Sequence, residues 1–154
     1  MKKMLLRSGL SLFAALVLLQ LWRPPRNDSS APSPQDIAAG RAVPAKVLTL
    51  LHNACYDCHS NHPKYPWYAC VQPVRWWLDS HINDGKRHLN FSEFGGYSAT
   101  RAGKKLEQIS DEVDQHDMPL KSYTWMHPEA RLTPEEVRLI TDWADALRDQ
   151  IAPP

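Results

Sequence analysis

Hydrophobic positions fall into five blocks along the chain, and the first differs in kind from the rest. Between Ser8 and Trp22 nearly every residue is apolar: Leu10, Leu12, Phe13, Ala14, Ala15, Leu16, Val17, Leu18, Leu19 and Leu21. Lys2, Lys3 and Arg7 precede this run, which is the layout of an export signal. Its length lies at the border between a signal-peptide core and a spanning helix. Trp22-Arg23 suits an interface anchor. Gln20-Leu21-Trp22-Arg23-Pro24 is a poor cleavage site, and Ser29-Ser30-Ala31 lies far downstream. Residues 1–22 are therefore read as an uncleaved anchor, with a cleaved signal peptide as the alternative. Residues 23–39 are rich in Pro and Ser and lack periodicity, so they read as a flexible linker. The folded domain is expected over residues 40–152.

The other four blocks repeat at helical spacing. Val47, Leu48, Leu50, Leu51 and Ala54 predict a helix from Pro44 to Ala54, with Pro at its first position. Val74, Trp77, Leu78, His81 and Ile82 predict a second from Pro73 to Asp84, stopped by Gly85. Ala102, Leu106, Ile109 and Val113 predict a third, from Ser98 or Thr100 to about Gln115. Its outer face carries Lys104, Lys105, Glu107, Asp111, Glu112 and Asp114, a mixed-charge surface that needs no function. The last begins at the capping box Thr133-Pro134-Glu135-Glu136. Its stripe of Val137, Ile140, Trp143, Ala144, Leu147 and Ile151 is expected to pack on the Pro44–Ala54 helix, and Pro153-Pro154 ends the chain. The fold class is all-α, with long loops over residues 60–68 and 85–96.

The chemistry gathers where the Pro44–Ala54 helix ends. Cys55-Tyr56-Asp57-Cys58-His59 reads C-x-x-C-H, the pattern of covalent c-type haem attachment. On a helical turn, residues three and four apart are neighbours. Cys55 and Cys58 can then bind the haem vinyl groups while His59 ligates the iron. A thioredoxin-like dithiol would want a βαβ context, and no alternating β-branched strand precedes Cys55. A zinc site would want two more ligands, and His62 and Cys70 are nearby. A carbonyl from residues 60–68 could accept the second ring N–H of His59. The aromatics there, Tyr65, Trp67 and Tyr68, suit either a haem face or the core.

Further ligands are expected downstream. Pro119 biases Met118 toward extended backbone, so Asp117-Met118-Pro119-Leu120 presents a thioether from a loop held between two helices. His/Met ligation raises a haem's reduction potential. Other candidates for that position are His81, His88, His116, His127 and Met126, or it stays open. Lys86, Arg87, Asn90 and Ser92 could hold haem propionates. Cys70 is an odd cysteine, read as a buried small hydrophobe with an intermolecular disulfide as the alternative.

Charge narrows the partners. The net charge of the 154-residue chain is +1, which argues against nucleic acid. Residues 1–26 contribute Lys2, Lys3, Arg7, Arg23 and Arg26 and no acid, so the remainder is net acidic. The basic end sets orientation and places the domain outside the cytoplasm.

Over about residues 43–149 the chain resembles the bacterial haem-binding domain family of small exported cytochrome c-like proteins. The resemblance rests on ordered motifs: Cys-Tyr-Asp-Cys-His-Ser-Asn, Tyr-Pro-Trp-Tyr, Pro-Val-x-Trp-Trp-Leu, His-Ile-x-x-Gly, His-Leu-Asn-Phe-Ser-Glu, Met-Pro-Leu and His-Pro-Glu-Ala. It implies one haem c held by Cys55 and Cys58, with His59 as proximal ligand, and Met118 matches its Met-Pro-Leu position. It implies nothing for Cys70. The expected function is one-electron transfer in the bacterial cell envelope, with unknown redox partner proteins and the inner membrane reached through the N-terminal segment. A haem enzyme of peroxidase type, or a haem-based redox or gas sensor with a labile ligand, is the alternative.

Overall fold

The computed structural model describes residues 2–29 and 31–151. Ser30, Ala152 and the terminal Pro153-Pro154 therefore lie outside the described residues. Eight α-helices occur among those described: α1 (Lys2–Leu19), α2 (Ile37–Gly40), α3 (Ala45–Ala54), α4 (Tyr56–His59), α5 (Val74–His88), α6 (Ala99–Asp114), α7 (Lys121–Met126) and α8 (Pro134–Ile151). Short 3-10 turns at Trp67–Cys70, Phe91–Gly96 and Pro128–Ala130 join them. There is no strand among the described residues, as the all-α reading expects.

Local chemistry explains the ends of these helices. Thr133 and Glu136 cap α8 reciprocally, with Thr133 N donating to Glu136 Oε2 at 2.9 Å and Glu136 N to Thr133 Oγ1 at 3.3 Å. Ser98 caps α6 by accepting from Arg101 N. At the other end of α6, His116 N donates to Val113 O and Asp117 N to Glu112 O. Such a closure needs a left-handed residue just past the helix, and His116 supplies it with φ 60°.

The main core lies where α6 and α8 run against each other. Ala102, Leu106, Ile109 and Val113 of α6 meet Val137, Ile140, Trp143, Ala144 and Leu147 of α8. The expected pairing of α8 with α3 is present but secondary. Val47, Leu50 and Leu51 of α3 complete the cluster with Tyr56, Phe91 and Phe94. A smaller cluster of Ala69, Leu78 and Ile82 holds α5 to the Trp67–Cys70 turn.

Four expectations change here. The second helix does not stop at Gly85 but continues to His88, because Gly85 serves close packing, not chain reversal. Of its expected face, Leu78 and Ile82 are buried while Val74 and Trp77 are exposed. Residues 23–39, the stretch read as a flexible linker, touch the domain at Pro24, Asn27 and Ile37. Ile37 is 1% exposed in the main core, the buried Arg75 donates to Pro24 O, and Lys86 Nζ donates to Asn27 O and Oδ1. A stretch without periodicity is held here by backbone carbonyls, the Asn27 and Asp36 side chains and one apolar side chain. Finally, Cys70 is exposed and its thiol is free, not buried.

Helix α1 buries none of its residues. No helix among the described residues is long and apolar enough to cross a membrane. The chain just after α1 is tied to the domain through Gln72, which donates from its backbone N to Gln20 Oε1 and from Nε2 to Trp22 O, both at 2.9 Å.

Candidate functional site

Between the two apolar clusters lies a cavity of about 370 Å³, a size at which proteins bind small organic cofactors. Cys55, Cys58, His59 and Met118 all line it, as do Ala54, Leu89, Phe91, Ile109, Val113, Pro119 and Leu120. The wall is thus largely apolar, with sulfur and imidazole groups set into it. Three of the four come from α4 and its N-cap, the turn that α3 delivers when it ends at Ala54. Tyr56 turns inward from that same segment. It stacks on Phe91 with centroids 5.1 Å apart, and its hydroxyl donates to Asp36. The turn is therefore pinned to the core between its two cysteines.

The opposite face of α4 meets α5 at Gly85. A Cβ on Gly85 would stand 2.7 Å from Cys58 O, so only glycine lets the helix approach this closely. The approach has a chemical consequence. His59 Nδ1 lies 3.0 Å from Gly85 O and 3.1 Å from Leu89 O. Both partners are carbonyls, which accept only, so the proton must be on Nδ1. Nε2 then carries a lone pair, and it has no hydrogen-bond partner among the described residues. Burial lowers the His59 pKa, which favours the neutral ring. An imidazole fixed in this tautomer is prepared for a metal. The acceptors lie on α5 and just beyond it, not in residues 60–68 as the sequence suggested.

The thiols are half-buried and free. Burial, reinforced by the neighbouring Cys58, pushes the Cys55 thiol up to about 12. Burial and the Asp57 carboxylate push Cys58 up to about 11. A thioredoxin-like dithiol needs the opposite shift. The zinc alternative lacks its donor set, since no group of three His, Cys, Asp or Glu among the described residues could hold a metal ion. An apolar cavity edged by two protonated thiols and one imidazole fits a haem.

Met118, in the same lining, is half-buried. Its backbone N–H donates to Glu112 O at 3.0 Å, so the closure that ends α6 also holds the methionine. Of the other candidates for that position, His81 and His88 reach the cavity lining, whereas His116, His127 and Met126 do not. His127 bonds to Tyr68 and Glu129 instead. The aromatics Tyr65, Trp67 and Tyr68 are absent from the lining, and Trp67 is exposed to solvent.

The expected propionate holders are engaged elsewhere. Lys86 binds Asn27, Arg87 pairs with Asp84, Asn90 caps the Phe91–Gly96 turn, and the Ser92 hydroxyl accepts from Asn61 N. Lys105 and Gln108 of α6 line the cavity in their place, with His88. Lys105 belongs to the face of α6 first read as plain surface. Its sequence signal was faint: one cation one residue before the buried Leu106.

Sequence reasoning also missed Tyr123. It lines the cavity and donates through its hydroxyl to Asp57 Oδ2 at 2.8 Å. Burial, then the Asp57 carboxylate, raise its pKa, so the phenol stays protonated.

A family model described as a haem-binding domain matches residues 14–146 of the chain. No curated protein and no solved structure matches it.

Proposed function

The chain belongs to the haem-binding domain family, and from that premise we propose that its cavity carries one covalent haem c and that the protein is a one-electron carrier of the bacterial cell envelope. The observation that supports this best is the meeting of Cys55, Cys58, His59 and Met118 around one apolar cavity, with the His59 tautomer fixed by two carbonyls. Haem, when bound, supplies a reversible ferric–ferrous couple.

The chain's own residues set the conditions for that couple. Cys55 and Cys58 would hold the haem through thioether bonds, each S–H adding across one vinyl group so that sulfur takes one carbon and the thiol hydrogen the other, with no oxidant needed. His59 would present its Nε2 lone pair to the iron, with Nδ1–H kept on Gly85 O and Leu89 O. Met118, from the segment between α6 and α7 that lines the same cavity, would offer a thioether. Lys105, Gln108 and His88 would hold the propionates. The largely apolar lining would limit water around the haem, which favours small reorganisation on electron transfer. A carrier needs both axial positions filled in both oxidation states, whereas a peroxidase or gas sensor needs one vacant or labile.

Met118→Ala tests the reading directly. The variant should lose the weak far-red band of a Met–ferric bond, show a lower reduction potential and bind carbon monoxide readily when reduced. An unchanged spectrum, with loss of ligation on changing His81 or His88 instead, would replace the methionine by a histidine.

We also propose that residues 1–22 attach the protein to the inner membrane with the haem domain on the periplasmic side. The support is the basic N-terminus and the exposed Leu and Phe side chains of α1, which favour an apolar medium. The full-length protein should fractionate with membranes. Replacing residues 2–19 by a cleavable export signal should release it with unchanged spectra, and retention of that variant on membranes would contradict the assignment.

A further inference from the structure

The cavity wall beyond Met118 is held by an unusual set of contacts. Helix α7 follows Met118-Pro119-Leu120 directly and buries none of its residues, so apolar packing does not fix it. Polar contacts do. Tyr123 Oη donates to Asp57 Oδ2 at 2.8 Å and approaches Asn53 O at 3.4 Å. Its ring stacks on His127 with centroids 4.2 Å apart and planes 14° from parallel. His127 Nδ1–H donates to Glu129 Oε1, which leaves Nε2 to accept from the Tyr68 hydroxyl at 2.8 Å. Asp57 sits between the two cysteines of the C-x-x-C-H turn, and it lines the cavity as Tyr123 does. The segment after Met118 is thus bonded to the very turn that carries His59.

We propose that the Tyr123–Asp57 hydrogen bond is a positioning clamp that holds the Met118 thioether in reach of the haem iron. The proposal rests on Met118 being the second axial ligand. Glu112 O already holds the backbone of Asp117 and Met118 on the α6 side. At its other end the loop runs directly into α7, which is held by the Tyr123–Asp57 bond and by Arg131 Nε donating to Thr124 O at 3.0 Å. An O–H donor on a carboxylate makes one of the stronger hydrogen bonds. A bond present only while the loop is seated biases the loop toward the seated arrangement by its own free energy. For a bond of this kind the shift corresponds to about tenfold or more in the ratio of seated to released loop. Tyr123 acts through Met118, so it is a positioning residue.

The test uses full-length holoprotein in four variants, read by the ferric far-red band, the rate of carbon monoxide binding to the reduced form, and thermal unfolding. Tyr123→Phe keeps the ring and removes only the donor. It should weaken the far-red band and speed carbon monoxide binding about tenfold. Asp57→Asn keeps an acceptor oxygen without the charge and should give a smaller change of the same sign. Tyr68→Phe removes the neighbouring bond to His127 and should leave band and rate at the wild-type level, even where it lowers the melting temperature by as much as Tyr123→Phe does. Met118→Ala separates this proposal from the one beneath it. If Met118→Ala abolishes the band while Tyr123→Phe leaves band and rate unchanged, the clamp alone is overturned. If Met118→Ala keeps the band, the ligand reading falls and the clamp with it. Should Tyr123→Phe fail to load haem, Asp57→Asn decides: a wild-type band and rate there overturn the clamp.

Discussion

The two walls of the cavity are built differently. The wall that carries Cys55, Cys58 and His59 grows out of buried structure. Leu51 of α3 and Ile82 of α5 are each 0% exposed, and Tyr56 is 4% exposed. Between them Gly85 presses against Cys58 so closely that no side chain fits. The wall that carries Met118 has a half-buried loop and a six-residue helix with nothing buried. It is held by the α6 closure at one end and by the Tyr123–Asp57 bond at the other. Apolar burial fixes the first wall, and directional polar bonds fix the second. A few polar bonds are easier to open than a core. The second wall is therefore where a carrier, an enzyme or a sensor would be distinguished, and its resting arrangement decides among them.

The contrast can be broken from the rigid side first. Gly85→Ala places a methyl group against the Cys58 carbonyl, so α4 and α5 must separate. Overpacking of this kind costs about 1–3 kcal/mol. It should also disturb the Gly85 and Leu89 acceptors of His59. The chemical-denaturation midpoint and the haem content should both fall, and a variant with wild-type stability and loading would mean that the close approach carries no weight. A smaller change of opposite sign is expected at the end of α6. His116 pays for a left-handed backbone that glycine adopts freely, so His116→Gly should raise stability by about 1 kcal/mol. A loss of stability there would show that the imidazole contributes more than its backbone costs. The smallest effect belongs to α7. Trp125 is 78% exposed, and Trp125→Ala should stay within about 0.5 kcal/mol of the parent. A larger loss would reveal apolar packing in α7 beyond the polar bonds that hold it.

The same division decided what could be read from the chain. The capped helices α6 and α8 announce themselves through period and caps, because burying one face forces apolar residues to repeat. The C-x-x-C-H turn stands out because covalent haem attachment, as proposed for it, demands those residue types at that spacing. Met118 was singled out because proline follows it, and it lines the cavity. Helix α7 left no trace, since a helix that buries nothing needs no periodicity. The contacts of residues 23–39 were hidden for a related reason, as Pro24 and Asn27 engage Arg75 and Lys86 through backbone carbonyls that any residue possesses, with the Asn27 amide oxygen added to them. Only Ile37 carried a side-chain signal, one apolar residue in a polar stretch. Gly85 was seen but misread. Glycine marks both helix ends and close crossings, and the difference lies in what packs against it. Lys105 was misassigned because a cavity cut into a charged helix face looks, in sequence, like ordinary surface.

The central claim is that Cys55 and Cys58 hold haem covalently in the cavity they line. Intact-protein mass measured after acid–organic extraction tests it most directly. The wild-type chain should retain the mass of one haem, either single cysteine-to-alanine variant should retain it through one remaining bond at lower yield, and the double variant should retain none. A wild-type chain that emerges from extraction without haem, or a double variant that still carries it, would contradict the account.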